Sequence, residues 1–259
     1  MEILVCVTRA PDMSENEIEV NSAGTDINRD DLVYSINEWD NYAVEEALQI
    51  TARVGGTVTV VTVGGEDDEE VLRREIAMGV QHAVLIADPA FAGADARAIA
   101  GALKAFIQTK SFHLILTGAQ GAGGGAQVGG MLAAMLDYPF ASLVNSIELL
   151  DGGKLKVNRE IEGGNKEVNE IGLPCVLSIQ TGINEPRYVG MRGIRQAASV
   201  EIPTISPPEL GMDAVPAAVV QRLDYFVPSS GKQARMLQGS RQQMVDELVE
   251  LVKASGGLR

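Results

Sequence analysis

The sequence predicts an α/β fold: a three-layer, mostly parallel sheet with helices on both faces, an antiparallel hairpin, and an extended C-terminal arm that ends in a helix. Three observations lead to this prediction. In the first half, short aliphatic and β-branched runs alternate with stretches of helical period. After residue 150, two strand-like runs flank a glycine-containing turn. Further on, a proline-rich segment precedes a final amphipathic stretch.

Four runs in the first half are typical of buried parallel strands, because they consist of β-branched and aliphatic residues. They are Ile3–Thr8, Thr57–Val63, Ala83–Ile86 and Leu114–Thr117. Three stretches between or beside them have the apolar spacing of helices that cover a sheet. They are Trp39–Val54, Asp67–Met78 and Ala94–Thr109. A ligand of such a sheet is expected beyond the carboxyl ends of its strands.

The second half departs from this alternation. Lys154–Ile161 and Lys166–Ile171 flank a Gly-Gly-Asn turn and predict an antiparallel hairpin, and Cys175–Ile179 predicts a further strand. Five prolines or glycines in residues 203–216 predict an extended connection. The stretch from about Ala234 to Lys253 predicts a helix whose apolar stripe needs a surface to cover it. We therefore divide the chain into an α/β domain, residues 1–202, and an arm with its helix, residues 203–259.

Composition excludes several classes of partner. The 35 acidic and 21 basic residues give a net charge of −14, which repels nucleic acid and anionic membranes. The sequence contains no apolar run of the roughly 20 residues that span a bilayer, so we expect a cytoplasmic protein without membrane insertion. Both cysteines, Cys6 and Cys175, lie in apolar runs and are expected to be small buried side chains.

The most unusual stretch is the glycine loop, residues 118–130, in which seven of thirteen residues are glycine. It follows the strand that ends at Thr117 and precedes an apolar helix around residues 131–136. Glycine allows close approach of backbone N–H groups to a ligand, and a helix N-terminus favours phosphate. The loop therefore predicts a bound nucleotide, and the alternative is a flexible loop without a ligand. It is neither a Walker loop nor a dinucleotide fingerprint.

Side-chain catalysis has little support in the sequence. The two histidines, His82 and His113, border predicted strands and are expected to be structural. Neither a hydrolytic triad nor the spacing of metal ligands is present, so no catalytic or metal-binding residue is assigned. Any chemistry is expected to be carried by a cofactor.

Four motifs together resemble the β subunit of electron transfer flavoproteins, in order and over residues 1 to about 200. They are Asn37-Glu-Trp-Asp-Asn-Tyr-Ala-Val-Glu-Glu-Ala-Leu48, Ala77-Met-Gly79, Asn158-Arg-Glu-Ile-Glu-Gly-Gly-Asn-Lys-Glu-Val168 followed by Leu173-Pro-Cys-Val-Leu-Ser178, and Asn184-Glu-Pro-Arg-Tyr188. The proline-rich arm with its final helix is similar to the C-terminal extension that wraps around the α subunit in this family.

The resemblance implies a heterodimer in which the α subunit holds most of an FAD. The β subunit then binds AMP or, in electron-bifurcating forms, a second FAD, and NAD is a further candidate cofactor. The implied nucleotide contacts are Cys6, Asn37, Glu38, Trp39, Asp40, Val63, Gly118, Gly121, Ala122, Gly123, Gly124, Gly125, Ala126, Gln127 and Val128. The resemblance also implies docking on an acyl-CoA-type dehydrogenase or another redox partner through a loop. That loop contains Met191 as an apolar anchor, with Arg192 and Ile194 beside it.

One departure from the family concerns the glycine loop. Residues 122–126 are glycine and alanine where family members usually carry aspartates. Conversely, Asp88–Asp95 and Thr8–Asp12 resemble bifurcating β subunits and favour FAD over AMP. Three functions follow: an electron-transferring or bifurcating subunit, a structural AMP-binding subunit with the redox chemistry in its partner, and an unrelated nucleotide-binding domain.

Overall fold

A computed structural model of the chain describes residues 1–121, 125–228 and 234–257. Its strands are β1 Glu2–Cys6, β2 Arg9–Pro11, β3 Tyr34–Ile36, β4 Thr57–Gly64, β5 His82–Ala87, β6 Leu114–Gly118, β7 Phe140–Leu150, β8 Lys154–Ile161, β9 Asn165–Gly172, β10 Cys175–Ile179 and β11 Thr204–Ile205. Its helices are α1 Glu38–Val54, α2 Glu69–Met78, α3 Ala96–Ile107, α4 Val128–Leu136, α5 Met191–Ala197 and α6 Arg241–Ala254.

The described strands form one large sheet in the order β11-β5-β4-β1-β6-β10-β7-β8-β9. Strands from β11 to β7 pair in parallel, and β8 and β9 extend the sheet with antiparallel pairing. The short strands β2 and β3 form a separate antiparallel pair. The predicted fold class, including the β8–β9 hairpin, is confirmed.

Two apolar cores lie on opposite faces of the sheet, because successive strand residues point to opposite sides. On β1, Ile3 and Val5 pack in one core with apolar residues of α1 and α2. Leu4 and Cys6 pack in the other core with residues of α3 and α4. This arrangement is the predicted three-layer architecture, and it fixes the carboxyl ends of β4, β1 and β6 side by side.

Three local features differ from the sequence-based expectation. Strand β7 was not predicted, because only about one residue in three along it is buried and the run is not continuously apolar. Strand β11 lies within the proline-rich segment and pairs with β5, so this part of the arm adds to the sheet. Helix α6 begins at Arg241 instead of near residue 234, because Ser240 and Gln243 form a capping box there.

Contacts divide the chain into two units. The first contains Met1–Ile18 and Asn28–Leu223, with the whole large sheet. The second contains Glu19–Ile27 and the chain from Asp224 onward. Within the second unit, the N–H of Tyr225 donates to the carbonyl of Gly24, and none of the residues of α6 is buried. The proposed division at residue 202 stays a prediction.

Candidate functional site

A cavity of about 260 Å³ lies at the carboxyl edge of the sheet, where β4, β1 and β6 end. We call it the edge cavity. The chain passes from β1 to β4 and β5 on one side and returns to β6 on the other, so the cavity lies where the strand order reverses. Its described lining is Cys6, Val7, Thr8, Asn37, Asp40, Val61, Val63, Gly93, Ala94, Ala96, Ile99, Leu103, Thr117, Gly118, Gln120, Gly121, Gly125, Ala126, Gln127, Val128, Gly129 and Arg222.

Asp40 joins three elements at the floor of the edge cavity. Its carboxylate accepts the N–H of Thr8, after β1, and the N–H of Gly118, at the end of β6, both at 2.9 Å. Burial raises the pKa of Asp40 to about 7, although hydrogen bonds from Asn37, Gly118 and Thr8 oppose the shift. Both carboxylate oxygens are therefore occupied by the backbone, which indicates a structural role for this side chain.

Asn37 fixes the loop that follows β6. It precedes α1, and its own N–H donates to the carbonyl of Thr8 at 2.8 Å. Its side-chain Nδ2 donates to the carbonyl of Gln120 at 2.9 Å. The start of the glycine loop is thus held against the N-terminus of α1, next to the hydrogen bonds that Asp40 accepts from Thr8 and Gly118.

The N-terminus of α4 opens toward the edge cavity. The first N–H groups of an α-helix have no helical acceptor, and Gln127, the residue before α4, makes no side-chain capping hydrogen bond to them. Gly129 brings this end of the helix close to the sheet: a Cβ there would meet the hydroxyl of Ser178 and lie 2.7 Å from that of Thr117. Unpaired N–H groups and the positive end of the helix dipole form a suitable site for a phosphate.

Most of the predicted nucleotide contacts lie together in the lining of the edge cavity. They are Cys6, Asn37, Asp40, Val63, Gly118, Gly121, Gly125, Ala126, Gln127 and Val128. Glu38 and Trp39 instead line an adjoining cavity of about 650 Å³, which we call the Trp39 cavity. Ala122, Gly123 and Gly124 lie outside the described residues. Burial, and next the charge of Asp40, raises the pKa of the Cys6 thiol, so this residue stays a neutral, apolar part of the lining.

Sequence reasoning missed part of this lining. Thr8 is the last residue of the predicted strand Ile3–Thr8, and Gln120 lies within the glycine loop, so both could have been found from these positions. Ile99 and Leu103 of α3 also line the cavity, but the apolar spacing of α3 indicates only a helix that faces the core, so the sequence does not assign them to a site. Arg222 comes from the arm, and no local sequence signal connects it to a cavity formed more than 90 residues earlier in the chain.

Known proteins resemble this chain over most of its length. The chain matches the electron transfer flavoprotein domain over residues 25–210. It is 32% identical to the electron transfer flavoprotein subunit beta of Methylophilus methylotrophus, with 99% of this chain and 100% of the relative covered. The chain belongs to the electron transfer flavoprotein β-subunit family. It is also 35% identical to the corresponding subunit of Thermoanaerobacterium thermosaccharolyticum, with 96% of this chain and 97% of the relative covered. A third relative, 36% identical over 93% of each chain, is the caffeyl-CoA reductase-Etf complex subunit CarD of Acetobacterium woodii.

In this electron transfer flavoprotein β subunit, the three predicted docking residues lie on α5. Met191 is 64% exposed and Ile194 is 49% exposed, and Arg192 is also exposed. The segment forms a helix where a loop was expected, because it packs tightly on α2. A Cβ on Gly193 would lie 2.6 Å from the carbonyl oxygen of Ala77. Gly193 therefore permits close helix contact instead of supplying loop mobility.

Arg73 of α2 holds the C-terminal end of α5. Its guanidinium donates to the carbonyls of Ala197 and Val200, at 2.9 and 3.1 Å, and pairs with Glu69. A cation at a helix C-terminus satisfies carbonyls that lack helical donors. These hydrogen bonds hold α5 in place on α2, with its other face exposed. None of the helices within the described residues is long and apolar enough to cross a membrane.

Replacing Gly125 with valine tests the glycine loop. Gly125 lines the edge cavity at φ +64°, where a β-branched residue is strained by about 1–2 kcal/mol. We expect the heterodimer carrying Gly125→Val to retain less than half of its adenine nucleotide, measured after acid release. Gly152→Val, at φ +76° in the β7–β8 turn with open space around it, is the matched control. Equal retention in both variants would remove Gly125 from the site.

Proposed function

We propose that this chain binds an adenine nucleotide, FAD or AMP, in the edge cavity and works as part of a heterodimer with an electron transfer flavoprotein α subunit. The complex passes electrons from an acyl-CoA-type dehydrogenase or NADH to a redox acceptor, or divides them between acceptors. The observation that carries the proposal is the edge cavity itself. It combines the glycine loop, the open N-terminus of α4 and the strand-order reversal in one place.

The residues of the cavity suit a bound nucleotide more than a catalytic reaction of their own. The lining combines apolar side chains with glycines and with the amide or hydroxyl side chains of Thr8, Asn37, Thr117, Gln120 and Gln127. The two buried ionisable groups beside the loop, Asp40 and Cys6, are a backbone acceptor and a neutral thiol. A flavin would supply the electron-accepting chemistry, and this chain's residues would bind and orient it.

The second candidate function is a structural role with AMP bound. AMP and FAD differ in length, so they would occupy the two adjoining cavities differently. The edge cavity and the Trp39 cavity share Asn37, Gln120, Gly121 and Gly125 in their linings. AMP would occupy the edge cavity alone, whereas the longer FAD would extend toward Trp39, the single tryptophan of the chain. Replacement of Trp39 by alanine should therefore weaken retention of FAD but not of AMP.

The test is the cofactor content of the purified heterodimer. The chain is co-expressed with its α subunit, and cofactors are released with acid and separated by chromatography. Two flavins per heterodimer support an electron-transferring second FAD, and one flavin with one AMP supports the structural role. One flavin and no second adenine nucleotide would contradict both candidates.

Replacing Met191 with alanine tests the proposed docking face. Burying an apolar anchor of this size stabilises a complex by about 1–3 kcal/mol. We expect Met191→Ala to raise the dehydrogenase concentration that gives half-maximal electron transfer roughly tenfold, without changing the limiting rate. Val54→Ala removes an exposed apolar side chain from the last residue of α1, outside α5, and serves as the control. An unchanged concentration dependence would exclude Met191 as the anchor, and loss of flavin would indicate a structural role.

A further inference from the structure

A hydrogen-bonded contact holds part of the arm beside α3, next to the edge cavity. The N–H groups of Val219 and Val220 donate to Oδ2 of Asp95 at 2.7 and 3.2 Å. The other oxygen of Asp95 accepts the N–H of Ala98 at 2.9 Å and caps α3. One carboxylate therefore starts the helix that lines the cavity and holds the arm segment beside it.

The attached segment brings a positive charge to the cavity. Arg222 lies two residues beyond Val220 and is part of the cavity lining. It is the one cationic side chain among the described lining residues. The hydrogen bonds from Ala98, Val219 and Val220 hold the pKa of Asp95 below its usual value, so this carboxylate stays ionised to a more acidic pH than an ordinary aspartate.

The charge of Arg222 would favour binding of a phosphate in the edge cavity. The chain has a net charge of −14, so an entering phosphate meets an unfavourable field. Backbone N–H groups of α4 offset part of it. A guanidinium adds a full charge and several donors that match phosphate oxygens.

We propose that Arg222, carried by the segment that Asp95 holds through Val219 and Val220, is a binding residue for the phosphate of the nucleotide. This inference rests on the proposed function, since it assigns a further ligand-binding residue to the same cavity. It also gives the first part of the arm a role in this chain's own site.

The experiment measures affinity for adenosine and for AMP in the nucleotide-depleted heterodimer. The probes differ only in the phosphate, so a charge contact changes their affinities unequally. We expect Arg222→Gln to weaken AMP roughly tenfold or more, with adenosine affinity within about twofold of the wild type. Arg222→Lys should recover most of the loss. Arg97→Gln, which removes an exposed charge on α3 that does not line the cavity, is the control and should bind AMP like the wild type.

Asp95→Asn tests the attachment separately. Asparagine keeps an oxygen for the N–H of Ala98 but replaces the acceptor of Val219 and Val220 with a donor. We expect a smaller loss of AMP affinity, and no further loss when it is combined with Arg222→Gln, because both changes act through Arg222.

The outcomes separate this inference from the proposed function. If the wild type binds AMP and Arg222→Gln binds it with the same affinity, the role of Arg222 is overturned and the proposed function still stands. Equal weakening of adenosine and AMP would also overturn it, since a purely structural role would not distinguish them. If the wild-type heterodimer binds neither AMP nor FAD, the proposed function itself fails.

Discussion

Replacement of Gly118 by alanine is expected to remove the nucleotide from the edge cavity. Gly118 ends β6, and its N–H donates to Asp40. A Cβ there would meet the carboxylate of Asp40 and lie 2.7 Å from Cβ of Trp39. Neither can move alone, because Asp40 also holds Thr8 and Trp39 lies in the first turn of α1. The start of α1 must therefore shift away from β6, where the cavity lies.

We expect this variant to lose at least tenfold in nucleotide affinity and about 1–3 kcal/mol of unfolding free energy, typical of overpacking. The affinity is measured by titration of the depleted heterodimer and the stability by denaturant unfolding. Gly101→Ala is the matched control, since Gly101 lies within α3 with nothing within 4 Å of an added Cβ. Alanine there favours the helix and should be neutral or stabilising. Wild-type affinity in Gly118→Ala would show that the contact around Asp40 does not shape the cavity.

Replacing Glu75 with glutamine is expected to remove much of the pH dependence of stability. Glu75 is fully buried, and neither of its carboxylate oxygens has a hydrogen-bond partner. Burial raises its pKa from 4.5 to about 8; Arg74 lowers it, and Asp40 and Glu45 raise it further. The folded state thus keeps a proton that the unfolded state releases. Its contribution to stability is complete below about pH 4.5 and is lost as the pH rises through about 8.

Glutamine resembles the protonated side chain and does not titrate. The two heterodimers should therefore melt at similar temperatures near pH 5, and the variant should melt several degrees higher by pH 8.5. Each pKa unit corresponds to about 1.4 kcal/mol, so the full difference amounts to a few kcal/mol. Glu66→Gln, at an exposed position before α2, is the control and should follow the wild type. Parallel curves for the wild type and Glu75→Gln would contradict a buried, protonated Glu75.

The layered sheet could be predicted because its strands are buried on both faces. The runs that form β1, β4, β5 and β6 are rich in aliphatic and β-branched residues, and stretches of helical period lie between or beside them. Strand β7 could not be recognised in this way, since only three of its eleven residues are buried and it contains Leu143 at φ +55°. Strand β11 has only two residues and exists through pairing with β5, a contact distant in sequence.

The sequence predicts those residues of the candidate site that lie directly beside a regular element. The glycine loop and Asn37 lie directly after or before regular elements, and the loop's composition indicates phosphate binding. The role of Asp40 as a backbone acceptor required knowledge of where Thr8 and Gly118 meet. The contribution of Arg222 depends on the fold of the arm, which Asp95 fixes through hydrogen bonds without a sequence signature.

The central claim is that a nucleotide occupies the edge cavity of this chain. Photolabelling of the heterodimer with 8-azidoadenosine 5′-monophosphate, followed by mass spectrometry of the labelled peptides, tests it most directly. The account predicts labelling of peptides that contain the cavity lining, such as those around Cys6, Val63 or Gly118–Val128, and loss of this label in excess AMP. Protected labelling confined to the α subunit, or to parts of this chain away from the edge cavity, would contradict it.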